Sequence, residues 1–347
     1  MTVLLYSTYI QVRPPLVNDT RIYNVYIKEY MFLPFERLCD PVFKHLLGGV
    51  DAISNATLYA IGKVPKVKID FNSFTFIDNF CVRGDLEVAG KRHAIVFNMA
   101  KFWYEGESDI SLKLQSDFKS ISEFTNYFMG KYEAYDGSEL PSHVKYQYLA
   151  RVDLEASNYT TLFVNCPLAK AMYGFKDIET EIPTYQLMQK FEIECFESVD
   201  LCYIGKSKGS LKRLMKHEKW LEVLALSKRN PQYDYLVYFF TIDDDSIKQI
   251  KRDGLNILHR DYTQLNSVSA AELCEAALVN YFKPVLNDKL KDSELSDLKV
   301  VKSNLLEKGY TSLVAEVELE GLFGKLATNI GHTRSDMLQS SIYKCDS

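Results

Sequence analysis

Apolar and polar positions alternate with a period of two through much of the first half of the chain. Residues 3–12 and 21–30 are rich in Tyr, Ile and Val, and residues 67–77 carry Val67, Ile69, Phe71 and Phe74 among their apolar positions. Side chains of a strand point to opposite faces in turn, so this pattern predicts strands. Residues 81–88 and 93–99 are two further runs. Ala89-Gly90-Lys91-Arg92 lies between them and predicts a hairpin turn. Residues 120–132 have helical periodicity behind a capping Ser120. Residues 143–154 alternate again and 159–165 form another short run, both expected as strands. The expectation is a β-rich domain over residues 1–185.

The second half changes character. Residues 191–196 and 201–205 predict a hairpin around Ser198-Val199-Asp200. A helix is expected over 211–227, with Ser210 as its N-cap and Asn230-Pro231 as its stop. The dense apolar run 233–242 is too short and too aromatic for a buried helix and predicts a buried strand. Residues 244–253 are expected as a short helix and 257–260 as a strand. A last helix opens at Ser269 and stops at Pro284. These elements define a second domain over 186–291, a small three-stranded antiparallel sheet flanked by helices. Residues 292–347 form a C-terminal extension with a strand at 312–318. The fold class expected is α+β.

Composition narrows the function classes. With 47% hydrophobic and 25% charged residues over 347 positions, the chain has the balance of a globular protein. It lacks a run of eighteen apolar residues, so no transmembrane helix and no membrane partner are expected. Its first six residues have no basic start and read as a strand, not a signal peptide. Seven scattered cysteines without a CxxC pair argue against a disulfide framework or a zinc site, and for a reducing compartment, the cytoplasm. The net charge of −5 argues against a protein coated in nucleic acid. Binding depends on local charge, however. Lys206, Lys208, Lys212, Arg213, Lys216 and Lys219 crowd one short stretch, opposed only by Glu218. Taken alone, that stretch is a solvated helix face.

Two carboxylates on the last helix separate by pattern. Ser269-Ala270-Ala271-Glu272 fits a capping box, which gives Glu272 a structural role. Glu275 shares a helical face with Val279 and Phe282. A carboxylate on an apolar face needs a partner or a metal ion. His45, His93, His143, His259 and His332 have no triad partners, and no P-loop or nucleophile elbow is present.

Tyr203-Ile204-Gly205-Lys206-Ser207, then Arg213 and His217, then Glu275, Pro284 and Asn287, together resemble the GIY-YIG nuclease superfamily in residue type, spacing and element order. The resemblance covers roughly residues 190–290. It implies a metal-dependent endonuclease acting on nucleic acid, DNA in the first instance, with the N-terminal domain choosing the substrate or a protein partner. It also implies site residues: Glu275 as ligand of a divalent ion, Mg²⁺ or Mn²⁺, Arg213 on the phosphate, and Asn287 holding the site. Lys206, Lys208, Lys212 and Lys216 would track the substrate backbone. The general base is open between Tyr203 and His217. The family's first tyrosine would fall near residues 191–195, where Glu192 or Glu194 stands instead. The competing expectations are a nuclease fold without turnover, acting as a nucleic-acid or protein binding module, and a nuclease held inactive until a partner docks on the first domain.

Overall fold

The computed structural model describes residues 21–39, 50–77, 80–106, 108–131, 137–149, 151–176, 179–206, 218–252, 255–261, 267–288, 303, 305–310, 312–317, 319–333 and 339–344. Its strands are β1 (Arg21–Pro34), β2 (Leu58–Pro65), β3 (Val67–Phe76), β4 (Cys81–Val88), β5 (Lys91–Asn98), β6 (Arg151–Val152), β7 (Thr161–Asn165), β8 (Glu179–Pro183), β9 (Val199–Lys206), β10 (Tyr233–Arg252), β11 (Leu255–Asp261), β12 (Ser312–Val317), β13 (Leu326–Ala327) and β14 (Gln339–Lys344). Helices and several sheets coexist, so the class is α+β. Among the described residues no helix is long and apolar enough to cross a membrane.

The chain divides into two compact units, residues 1–64 with 198–347, and residues 65–197. The boundaries expected from the sequence, near 185 and 291, do not coincide with these units. The reason lies in strand pairing. Both β1 and β2 belong to the same eight-stranded sheet as the C-terminal strands, in the order β13-β9-β2-β10-β1-β12-β14, with β11 on β10. The three-stranded sheet expected within 190–290 is therefore part of a larger one. Strand β2, from far upstream, lies between β9 and β10.

Several local expectations change for the same reason. Residues 244–253 are strand, not helix, because β10 runs on to Arg252 while paired to β1 and β11. Residues 191–196 are not a strand; β9 finds its antiparallel partner in β2 instead. Residues 142–149 are a helix, where alternation predicted a strand. Conversely, β12 is parallel to β1 and antiparallel to β14, which fixes the place of the C-terminal strand. The strand expected over 3–12 lies outside the described residues, as does the first part, 211–217, of the helix expected over 211–227; its described part runs Glu218–Arg229.

In the first unit, Leu33, Phe35, Leu38, Ile53, Tyr59, Ile61, Cys202, Tyr203, Trp220, Val223, Tyr235, Val237 and Phe239 form one buried cluster. Phe35 and Trp220 pack ring against ring at 4.3 Å. The Ser267–Phe282 helix contacts β1, β9, β10, β12 and β14, which explains why it is apolar nearly all round. Lys283 takes a left-handed φ of 48° just beyond it, and Pro284 prevents its continuation. Cys202 and Cys274 are buried, free thiols, and burial pushes both up to about 12.

The second unit holds two three-stranded antiparallel sheets, β3-β4-β5 and β6-β7-β8. The β4–β5 hairpin turns on Ala89 and Gly90 alone, both at positive φ. Helices cover residues 99–104, 109–117 and 121–131. Their core is aromatic, with Trp103, Phe124 and Phe128 fully enclosed. A buried ammonium, Lys145 Nζ, donates to the Met129 carbonyl at 2.8 Å and to Glu139 at 2.9 Å.

One buried charge in the first unit has a measurable consequence. Asp245 is 0% exposed on β10 and faces Arg260 Nε at 2.6 Å, with Asn24 and Glu316 beside that pair. Burial pushes its carboxyl up to about 6, against the opposing pull of Arg260. The folded state therefore binds this proton more tightly than the unfolded chain between pH about 4 and about 6. Stability relative to Asp245→Asn should fall as pH rises through that window and stay level above it. Thermal unfolding of both proteins between pH 4 and 7 measures the difference. Parallel curves would show that Asp245 is fully ionised throughout.

Candidate functional site

Strand β9 carries Tyr203, and its register with β2 sets what surrounds that side chain. Ile61 pairs with Tyr203 and Tyr59 pairs with Gly205. Tyr59 and Tyr203 are thus diagonal neighbours on one face, with ring centroids 5.5 Å apart. Gly205 makes this possible. A Cβ there would stand 2.7 Å from both the ring edge and the hydroxyl oxygen of Tyr203. The glycine serves as space for a folded-over ring, not as a turn.

The two hydroxyls are hydrogen-bonded to each other. Burial first, then this bond and the field of Glu275, holds the Tyr59 phenol well above its ordinary range. Tyr203 is raised as well, chiefly by burial. The bond from Tyr59 works the other way there, and so does the nearby Lys219 ammonium. Both phenols are therefore raised by burial, and their shared bond acts on the two in opposite directions.

Glu275 projects from the Ser267–Phe282 helix close enough to raise both phenols. Its own pKa is raised, mainly by burial, with Lys206 opposing. The Lys206 ammonium stands 2.9 Å from Glu272 Oε1 and 3.8 Å from Glu275 Oε2. The Lys206 backbone also hydrogen-bonds to the Glu275 carboxylate. Glu272 is therefore not the helix cap that the sequence predicted. The helix starts at Ser267, which puts Glu272 in its second turn, facing β9.

Asn287 is a backbone surrogate. Its Nδ2 donates to the Ile204 carbonyl at 2.8 Å, and its Oδ1 accepts from the Ile204 N–H at 3.0 Å. Leu286 N–H donates to the Cys202 carbonyl at 3.0 Å. The segment after the helix thus binds β9 as a further strand would. Asp288 continues it and accepts from Lys219 Nζ at 2.7 Å. This contact, with Glu222, raises the pKa of Lys219. Asn287→Ala would leave two backbone groups of a buried strand unpaired, at about 1–3 kcal/mol each. A loss of roughly 2–4 kcal/mol is expected in denaturant unfolding. A loss under about 0.5 kcal/mol would show that water replaces the amide.

The structure thus brings together Tyr203, Lys206, Glu275 and Asn287 of the residues singled out in the sequence. Lys208, Lys212, Arg213, Lys216 and His217 lie outside the described residues. Glu192 and Glu194 are not on a strand beside Tyr203; that place belongs to β2 and to Tyr59. Tyr59 was not singled out, although Leu58-Tyr59-Ala60-Ile61 is a short apolar run ending at Pro65 and has a strand's signature.

Among the described residues, no group of three or more His, Cys, Asp or Glu side chains is placed to hold a metal ion. What remains is one half-buried carboxylate beside two phenol oxygens. Such an oxygen-only set suits Mg²⁺, which keeps several waters and takes one or two carboxylates from protein. Comparison with protein-family models, with curated proteins and with solved structures finds no match.

Proposed function

We propose that the chain is a metal-dependent endonuclease that hydrolyses nucleic-acid phosphodiester bonds at a GIY-YIG-like site. The observation that carries the reading is the convergence of Tyr59, Tyr203 and Glu275 from two adjacent strands and a packed helix. Tyr59 supplies the tyrosine on the neighbouring strand that the family resemblance calls for, delivered by β2. A divalent ion held by Glu275, Mg²⁺ or Mn²⁺, would supply neutralisation of charge on the phosphate oxygens. After losing its own proton to solvent, Tyr203 would as phenolate take the proton of the attacking water; burial opposes that ionised form, and the hydrogen bond from Tyr59 and the Lys219 ammonium favour it. His217 remains the other base. Arg213 would grip the phosphate with two parallel donors. Lys206 with Lys208, Lys212 and Lys216 would line the path of the backbone.

The residue-65–197 unit is assigned, on the same reading, to choice of nucleic acid or of a protein partner. A second reading, a nuclease fold used for binding alone, draws on the Lys206 ammonium lying between Glu272 and Glu275 and on the raised phenols. One experiment separates the two. The purified chain is incubated with plasmid, single-stranded DNA and RNA, with Mg²⁺ or with EDTA. The nuclease reading expects cleavage of at least one substrate with Mg²⁺ and none with EDTA. Retained binding without cleavage would favour the second reading.

A further inference from the structure

Glu272 has no part in the proposed chemistry, yet it forms the shorter contact with Lys206. Glu272 and Glu275 are three positions apart on one helix and so share a face. The single Lys206 ammonium stands between them, nearer to Glu272 by about one ångström. Side-chain exposure is 31% at Glu272, 32% at Lys206 and 15% at Glu275. The more buried carboxylate is the one that most needs a counter-charge; its contact with the ammonium is the longer of the two, beside hydrogen bonds from the Lys206 backbone and side chain.

We propose that Glu272 is a positioning residue for metal occupancy: it draws the Lys206 ammonium toward itself, weakens its hold on Glu275 and so leaves that carboxylate more open to a divalent cation. This rests on the reading of Glu275 as metal ligand. An ammonium and a metal ion compete for the same oxygen lone pairs. Without the Glu272 charge, Glu275 is the carboxylate left within the reach of Lys206 shown here, and the ammonium moves closer to it. Lys206 drawn to Glu272 also keeps its charge at the rim of the site after the ion binds.

Binding of Mn²⁺ alone to the full chain, followed by the electron paramagnetic resonance signal of the free ion, reads this without any turnover. Glu272→Gln is expected to weaken binding about fivefold, the scale of a partly exposed ion pair. Lys206→Met is expected to strengthen it. In the Lys206→Met background, Glu272→Gln should then have no further effect, a non-additivity that marks two residues acting as a unit. If Glu272→Gln costs the same in both backgrounds, Glu272 acts only as a nearby negative charge and the proposal is overturned. Unchanged affinity in Glu272→Gln overturns it too. Glu275→Gln is the control. If it binds Mn²⁺ as the wild type does, the reading of Glu275 as ligand fails first. Thermal unfolding checks that each variant is folded, and Lys206→Gln replaces Lys206→Met if the latter is not.

Discussion

Glu275→Gln is expected to lower Mg²⁺-dependent cleavage by roughly 10³-fold while leaving the protein at least as stable as the wild type. The rate follows from the role proposed for the carboxylate. A metal ion contributes several kcal/mol of charge stabilisation, and each 1.36 kcal/mol is tenfold. Glutamine keeps the shape but is a far poorer ligand. The stability follows from burial, which raises the Glu275 pKa and so disfavours its ionised form in the fold. A neutral isostere removes that penalty, and Lys206 keeps its shorter contact with Glu272. Activity and stability should therefore move apart, as they do where a site is built at the fold's expense. A variant that lost both would mark Glu275 as a structural residue. A variant that kept its activity would place the metal elsewhere.

Tyr203→Phe is expected to reduce the rate by about 10²-fold to 10⁴-fold, the range for a positioned general base. Tyr59→Phe should cost less, because on the proposed reading Tyr59 acts through its hydrogen bond to Tyr203 and not on the water itself. Its effect should appear in the pH–rate profile. Without that donor the Tyr203 phenol is harder to ionise, so the limb that reports the base should move to higher pH. Both variants delete one oxygen from a shared hydrogen bond, so a difference between them measures the asymmetry of the pair. A greater loss in Tyr59→Phe would place the base on β2. Near-wild-type rates in both would leave His217 as the base.

Local pattern was enough for some elements and not for others. The alternation over 21–30 and 67–77 and the paired runs 81–88 and 93–99 became β1, β3, β4 and β5, because period-two burial is written locally. Glu275 was legible because a carboxylate on an apolar helix face is a local anomaly, whereas Asn287 was reached only through the resemblance. Strand β2 was not legible as a partner of β9. Pairing depends on contacts that no short window contains, and here the whole second unit lies between the two strands. The hairpin at 191–205 was expected because adjacent segments usually pair; the insertion defeats that habit. Residues 244–253 were expected as a short helix, and Asp243-Asp244-Asp245 gives no local sign that the strand continues. In the fold those aspartates are absorbed by Lys28, Tyr23 and Arg260, and the strand runs through them. Glu272 matched a capping box by spacing alone. The helix begins earlier, at Ser267, and so spacing misassigned it.

The placement of β2 beside β9 also bears on how the chain reaches its folded state. Lys63 pairs with Asp200 and their side chains meet at 2.7 Å, so the inserted unit leaves and rejoins the sheet at neighbouring points. Closing so long a loop from a fully unfolded chain costs entropy that grows with its length. If residues 65–197 have already collapsed, much of that loss has been met before β2 searches for β9. Pairings this distant in sequence form slowly. The Tyr59–Tyr203 contact would then be among the last to appear on refolding, and the insert a scaffold that must mature before the two tyrosines meet.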